Sequence, residues 1–207
     1  MSVREENLNV MLAELLAEKG LKALGEVVLK KPGRRLEPDV YLLINGVRIV
    51  IEGKRPGMWD ELEQKCRERL DNNVCDICVM VEYLDWTDSG PPITSLNPTQ
   101  MQIRQALLNG KFRMGVMTYV ERVGLERWLE ERPKKALEVY ENIGFHELVT
   151  YIMAAYDRMV REDVIAPVVE RMDRVLRDFA ANIVRTIDVA RLMEVLELRE
   201  KGGEEEE

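Results

Sequence analysis

The chain predicts a mixed-sheet α/β domain of about 120 residues followed by a helical extension, and three patterns carry that expectation. Asn45-Gly46 stands between two aliphatic runs, the strongest short signal for a two-residue hairpin. Val74 to Tyr83 is a near-continuous apolar run behind an amphipathic segment, as in a buried strand reached by a crossover helix. Beyond Glu121 the apolar spacing becomes helical throughout.

Taken in order, residues 3–19 place Leu8, Met11, Leu12, Leu15 and Leu16 at helical spacing and stop at Lys19-Gly20. Gly25 to Lys30 reads as a first strand. The hairpin follows, and a two-residue turn fixes its register: Ile44 faces Val47, Leu42 faces Ile49 and Val40 faces Ile51. One step further Asp39 falls opposite Glu52, with Lys54 on the same face as Glu52. The other face is aliphatic and reads as core. Pro56-Gly57 ends the second strand, and Trp59 to Asn72 reads as a helix. After the strand at 74–83 come a loop to Asn97, a helix from Pro98 to Asn109 and a strand from Phe112 to Val120. The predicted order is α-β-β-β-α-β-α-β.

Like charges directly across a sheet repel. Asp39 opposite Glu52 therefore asks for a cation, and oxygen-only ligands suit a hard ion such as Mg²⁺, which completes its shell with waters and substrate phosphate. A neighbouring ammonium stabilises charge on a phosphoryl group under attack. This is the chemistry of phosphodiester hydrolysis.

Pro38-Asp39 followed by Glu52-Gly53-Lys54 on the next strand resembles the signature of the PD-(D/E)xK nuclease superfamily, the restriction-endonuclease-like fold. Residues 38–46 and 49–56 are similar to the nuclease domains at the N-terminus of type I restriction enzyme motor subunits. The resemblance covers roughly residues 3–120. It implies that Asp39 and Glu52 bind metal, that the Gly53 carbonyl is a further ligand, and that Lys54 orients or activates the attacking water. Gly53 departs from the Ala or Val of many relatives. The resemblance also implies a Glu on the first helix near the metal; Glu5 lies in phase with Leu12 and Leu16 and is preferred to Glu6 and Glu14, although an acid in a first helical turn is favourable without any ligand role. Gln64 and Lys65 match positions where relatives place such residues near the scissile phosphate, and a solvated helix face accounts for them equally.

The expected function is a Mg²⁺-dependent DNA endonuclease of a restriction or other defence system, with Mn²⁺ as substitute ion. A repair or junction-cleaving nuclease and a catalytically silent binding member of the fold are the alternatives. The net charge of −8 is unfavourable for binding a polyanion. Its distribution answers part of the objection, because residues 1–70 hold 13 basic against 12 acidic side chains and the remainder carries about −9. Lys30, Lys31, Arg34 and Arg35 precede the site and Arg55 follows it, as candidate phosphate contacts. No P-loop occurs, so a motor function is not in this chain; the resemblance to the type I subunits then implies that the motor and methylation parts are missing or lie on partner restriction subunits, and a compact stand-alone nuclease is the simpler reading.

In the helical extension, residues 121–202, Ile165, Val168, Met172, Val175, Phe179, Ile183 and Ile187 recur at threes and fours. Packing on the sheet and homodimer contact both fit that stripe. Residues 203–207 form an acidic tail. No apolar run approaches a membrane span and no signal-peptide pattern begins the chain, so the expected location is the cytoplasm. Cys66, Cys75 and Cys78 lack a fourth metal ligand and read as buried free thiols.

Overall fold

The computed structural model describes residues 3–25, 29–31, 34–87, 92–93, 98–119 and 135–186, with backbone only at 29–31, 34–36, 163–164 and 184–186. The segment around Trp128, the 187–200 part of the long apolar repeat and the acidic tail lie outside these residues. By contacts the chain divides into Met1–Arg158 and Met159–Glu207.

In the first unit α1 (Glu5–Glu18) leads to β1 (Ala23–Gly25), β2 (Leu29–Lys31), β3 (Arg34–Leu36), β4 (Val40–Ile44) and β5 (Val47–Lys54). Then come α2 (Trp59–Asp71), β6 (Ile77–Tyr83), α3 (Gln100–Asn109), β7 (Phe112–Tyr119), β8 (Lys135–Ile143) and α4 (Phe145–Met159), whose last residue opens the second unit. Among the described residues six strands form one mixed sheet in the order β1-β4-β5-β6-β7-β8, parallel only between β5 and β6. The α2 crossover is what permits that parallel pair.

The β4–β5 hairpin has the register the turn demands. Asn45 and Gly46 take φ of 48° and 88°, and the ladder runs from Ile44 opposite Val47 to Val40 opposite Ile51. Val40, Leu42, Ile49 and Ile51 are fully buried on one face, where α1 packs on β1, β4 and β5. Burial does not stop there. On the other face Val50, Cys78, Met80 and Met117 close against Leu62, Cys66 and Leu70 of α2. The face carrying Asp39 and Glu52 is thus roofed by a helix.

Three expectations need correcting. The single strand expected at 25–30 is two short elements: β1 joins the main sheet, while β2 pairs with β3 in a separate ribbon. The helix expected throughout after residue 120 gives way at 135–143 to strand β8 on the edge of β7, a pairing that a helix-prone Lys-Ala-Leu-Glu start conceals. Cys66 and Cys78 are joined in a disulfide, so only Cys75 is free. The inner face of α2 lies directly over β6, which brings together two cysteines that sequence spacing does not pair.

The second unit contains a π-helical turn, Val160–Ile165, and α5 (Ala166–Thr186). No helix among the described residues is long and apolar enough to cross a membrane.

Candidate active site

Asp39 precedes β4, and its position follows from the hairpin register. The β4–β5 ladder ends at Val40, so the next inward N–H, that of Gly53, has no strand partner; Asp39 Oδ2 accepts it at 2.8 Å. Burial raises the pKa of the Asp39 carboxyl, against the lowering effect of that N–H and of the Lys65 and Lys54 charges.

Glu52 is completely buried. Burial pushes its pKa up to about 7 and the nearby Asp39 charge adds to the rise, while Arg69 and Lys65 oppose it. Arg69 Nε donates to Glu52 Oε1 at 2.6 Å and its Nη2 donates to the Glu37 carbonyl at 2.9 Å. Glu52 Oε2 has no hydrogen-bond donor, with the Lys65 ammonium 3.7 Å away. A buried carboxylate oxygen without a donor is costly unless a cation faces it.

Lys54 follows on the same face. Its Nζ donates to Glu5 Oε1 at 2.6 Å and lies 3.6 Å from Glu61 Oε1. Burial alone would lower the Lys54 pKa, but the Glu5 hydrogen bond and the Glu5, Glu61 and Asp39 charges outweigh it and leave the pKa raised. Lys54 is consequently an ammonium, suited to holding negative charge and unsuited to taking a proton.

Among the three candidate carboxylates of α1, Glu6 and Glu14 are exposed and Glu5 is half-buried beside Lys54. Its other oxygen, Oε2, accepts the Arg55 backbone N–H at 3.2 Å. Glu5 therefore clamps the end of β5. No group of three metal-ligating side chains converges among the described residues. The Arg55 guanidinium donates to the Val3 carbonyl. In the β2–β3 ribbon Lys30 is opposite Arg35 and Lys31 opposite Arg34, two like-charged register positions just upstream of Asp39. Gln64 is exposed.

A glycine at position 53 has a steric reason. A Cβ there would lie 2.2 Å from Asn9 Oδ1 and 2.8 Å from the Tyr83 hydroxyl, which donates to that same Asn9 oxygen at 2.7 Å. The Asn9–Tyr83 pair fills the space a methyl would need.

Sequence reasoning missed Arg69, Glu61 and Glu82. The first two were readable, because Glu61, Lys65 and Arg69 recur every four residues along α2 and so form one stripe beside the buried Leu62, Cys66 and Leu70. Glu82 was hidden inside an apolar run. It is buried and accepts the Gly57 and Met58 N–H groups at 2.7 and 3.2 Å, fixing where α2 begins.

The assembled cluster is two neighbouring acids, an ammonium beside them, and the mixed-charge stripe of Glu61, Lys65 and Arg69 on α2. Such a cluster can bind a cation between the acids or an anion against Lys54 and Lys65. No family model, curated protein or solved structure matches this chain.

Proposed function

We propose that the chain is a metal-dependent DNA endonuclease of the restriction-endonuclease-like, PD-(D/E)xK type, serving a restriction or other defence system. The observation that supports this reading is that Asp39, Glu52 and Lys54 gather where the β4–β5 ladder ends, with the Asp39 charge bearing on Glu52 and the Lys54 charge on Asp39. The donor set fits a hard divalent ion. Burial raises the pKa of both acids, the Asp39 charge raises that of Glu52 further, and Glu52 Oε2 is buried without a donor. Asp39, Glu52 and the Gly53 carbonyl would hold Mg²⁺, or Mn²⁺ in its place, with Glu5 and waters completing the set. When bound, the ion supplies positive charge against the phosphoryl oxygens and a more acidic water.

The chain's own groups do the rest. Lys54, kept protonated by Glu5, orients the water and holds charge that develops on the attacked phosphate. Lys65 lies close enough to share that charge. Arg55, Lys31, Arg34 and Arg35 are the candidate contacts to flanking phosphates, and the paired cations of the β2–β3 ribbon favour a polyanionic partner.

The test is cleavage of supercoiled plasmid with Mg²⁺ by the parent, Lys54→Ala and Asp39→Ala. Cleavage by the parent alone supports the proposal, whereas equal activity in all three removes it. A panel of duplex, forked, junction and single-stranded substrates separates defence from repair roles.

One observation favours a second reading, a catalytically silent member. Arg69 and Lys65 already offset Glu52, and Glu5 is engaged by Lys54, so the acids have internal counter-charges. A silent member cleaves nothing in the panel.

A further inference from the structure

The second unit carries an apolar surface that the chemistry above does not use. On α5, Val168, Val169, Met172, Val175, Leu176, Phe179 and Ile183 are between 40% and 63% exposed, and they form one continuous face about 23 Å long. Counted in sevens, Val168, Met172, Val175 and Phe179 occupy the two core positions of a heptad. Val169, Leu176 and Ile183 widen the core on one flank. The opposite flank carries Arg171 and Asp178, one heptad apart and of opposite sign. Neither makes an ion pair or hydrogen bond among the described residues, whereas Asp173 and Arg177 on the outer face pair with each other.

We infer that this face is a self-association surface in which α5 packs antiparallel against α5 of a second copy, with Arg171 facing Asp178 of the partner. The charges select both the occupant and the direction. In an antiparallel pair the two flanks carrying Arg171 and Asp178 lie against each other, and twofold symmetry makes the Arg171–Asp178 contact twice. The same alignment sets Met172 against Val175 of the partner and Phe179 against Val168, completing the core layers. A parallel pair instead sets Arg171 against Leu176 and leaves both charges unanswered. The inference stands apart from the proposed hydrolysis. Its consequence for that reading is two copies of the site in one particle, as duplex cleavage by paired sites requires.

Sedimentation velocity on the full chain over low to high micromolar concentrations tests the inference, with circular dichroism confirming that each variant is folded. The parent is expected to dimerise, and Met172→Glu or Phe179→Glu to leave only monomer. Arg171→Glu and Asp178→Lys are each expected to weaken the dimer roughly five- to tenfold, because two attractions become two repulsions. The double variant Arg171→Glu/Asp178→Lys is expected to return within about twofold of the parent, since the swap restores both contacts. A parent that stays monomeric at all concentrations overturns the inference, as does a dimer indifferent to Met172→Glu and Phe179→Glu. A dimer that responds to those two but not to the charge variants also overturns it, because the antiparallel pairing is then absent.

Discussion

Arg69 Nε meets Glu52 Oε1 at 2.6 Å, and this contact joins the roof helix α2 to the buried acid on β5. It is the main internal counter-charge of the site. Removing it by Arg69→Leu leaves Glu52 buried without a donor on either oxygen. Breaking a buried ion pair costs about 3–5 kcal/mol when the remaining charge must persist. Glu52 escapes part of that cost by protonating, so the expected loss is about 1–3 kcal/mol at pH 8 and smaller at pH 5.5. Urea melts at the two pH values check this, and an equal loss at both would contradict the role given to Arg69.

Glu52 also sets a pH dependence of the parent. Its carboxyl moves from 4.5 to about 7 on folding, so between those values the folded chain binds more protons than the unfolded one. The stability tied to this group is fully present below about pH 4.5 and is lost as pH rises to about 7. The total is of order 3 kcal/mol. Glu52→Gln removes the ionisation, and the difference in stability between variant and parent should grow in the variant's favour from pH 5 to pH 8. A difference constant with pH would show that the acid is not held in a costly charged form.

Gly53→Ala tests the steric account of this glycine. The methyl would press on the buried Asn9–Tyr83 hydrogen bond, with an expected cost of about 1–3 kcal/mol. In an Asn9→Ala background the same substitution should cost less, because the 2.2 Å obstacle is gone. Additive losses in a double-mutant cycle of thermal melts would place the obstruction elsewhere.

The Cys66–Cys78 bond closes a short loop between α2 and β6 beneath the site. Reduction is expected to lower stability by about 2–4 kcal/mol, and Cys66→Ser should reproduce that loss and be insensitive to further reductant. A parent whose melting temperature is unchanged by reductant would contradict the bond. Such bonds are rare in reducing cytosol, so this one pulls against the cytoplasmic expectation.

Much of the first unit was legible because its signals are local. Asn45-Gly46 fixed a register from two residues, seen from Ile44 opposite Val47 to Val40 opposite Ile51, and that register ends where Asp39 accepts the Gly53 N–H. The Val74–Tyr83 run similarly announced a strand buried on both sides, seen in β6. What stayed hidden depends on non-local packing. Strand β8 exists because the edge of β7 is available to it, and its half-buried side chains carry too little alternation to outweigh helix propensity. The disulfide and the Arg69–Glu52 pair depend on how α2 is rotated over the sheet. Sequence periodicity names the inner face of that helix but not the partners beneath it. The α5 stripe was readable as amphipathic, and periodicity alone does not say what packs on it.

The most direct test of the account is isothermal titration of the metal-free chain with Mn²⁺ and Mg²⁺, for the parent, Asp39→Asn, Glu52→Gln and the exposed-residue control Glu6→Gln. The account predicts saturable uptake by the parent and by Glu6→Gln, and its loss in both Asp39→Asn and Glu52→Gln. Absence of uptake in the parent, or uptake indifferent to Asp39 and Glu52, would contradict it.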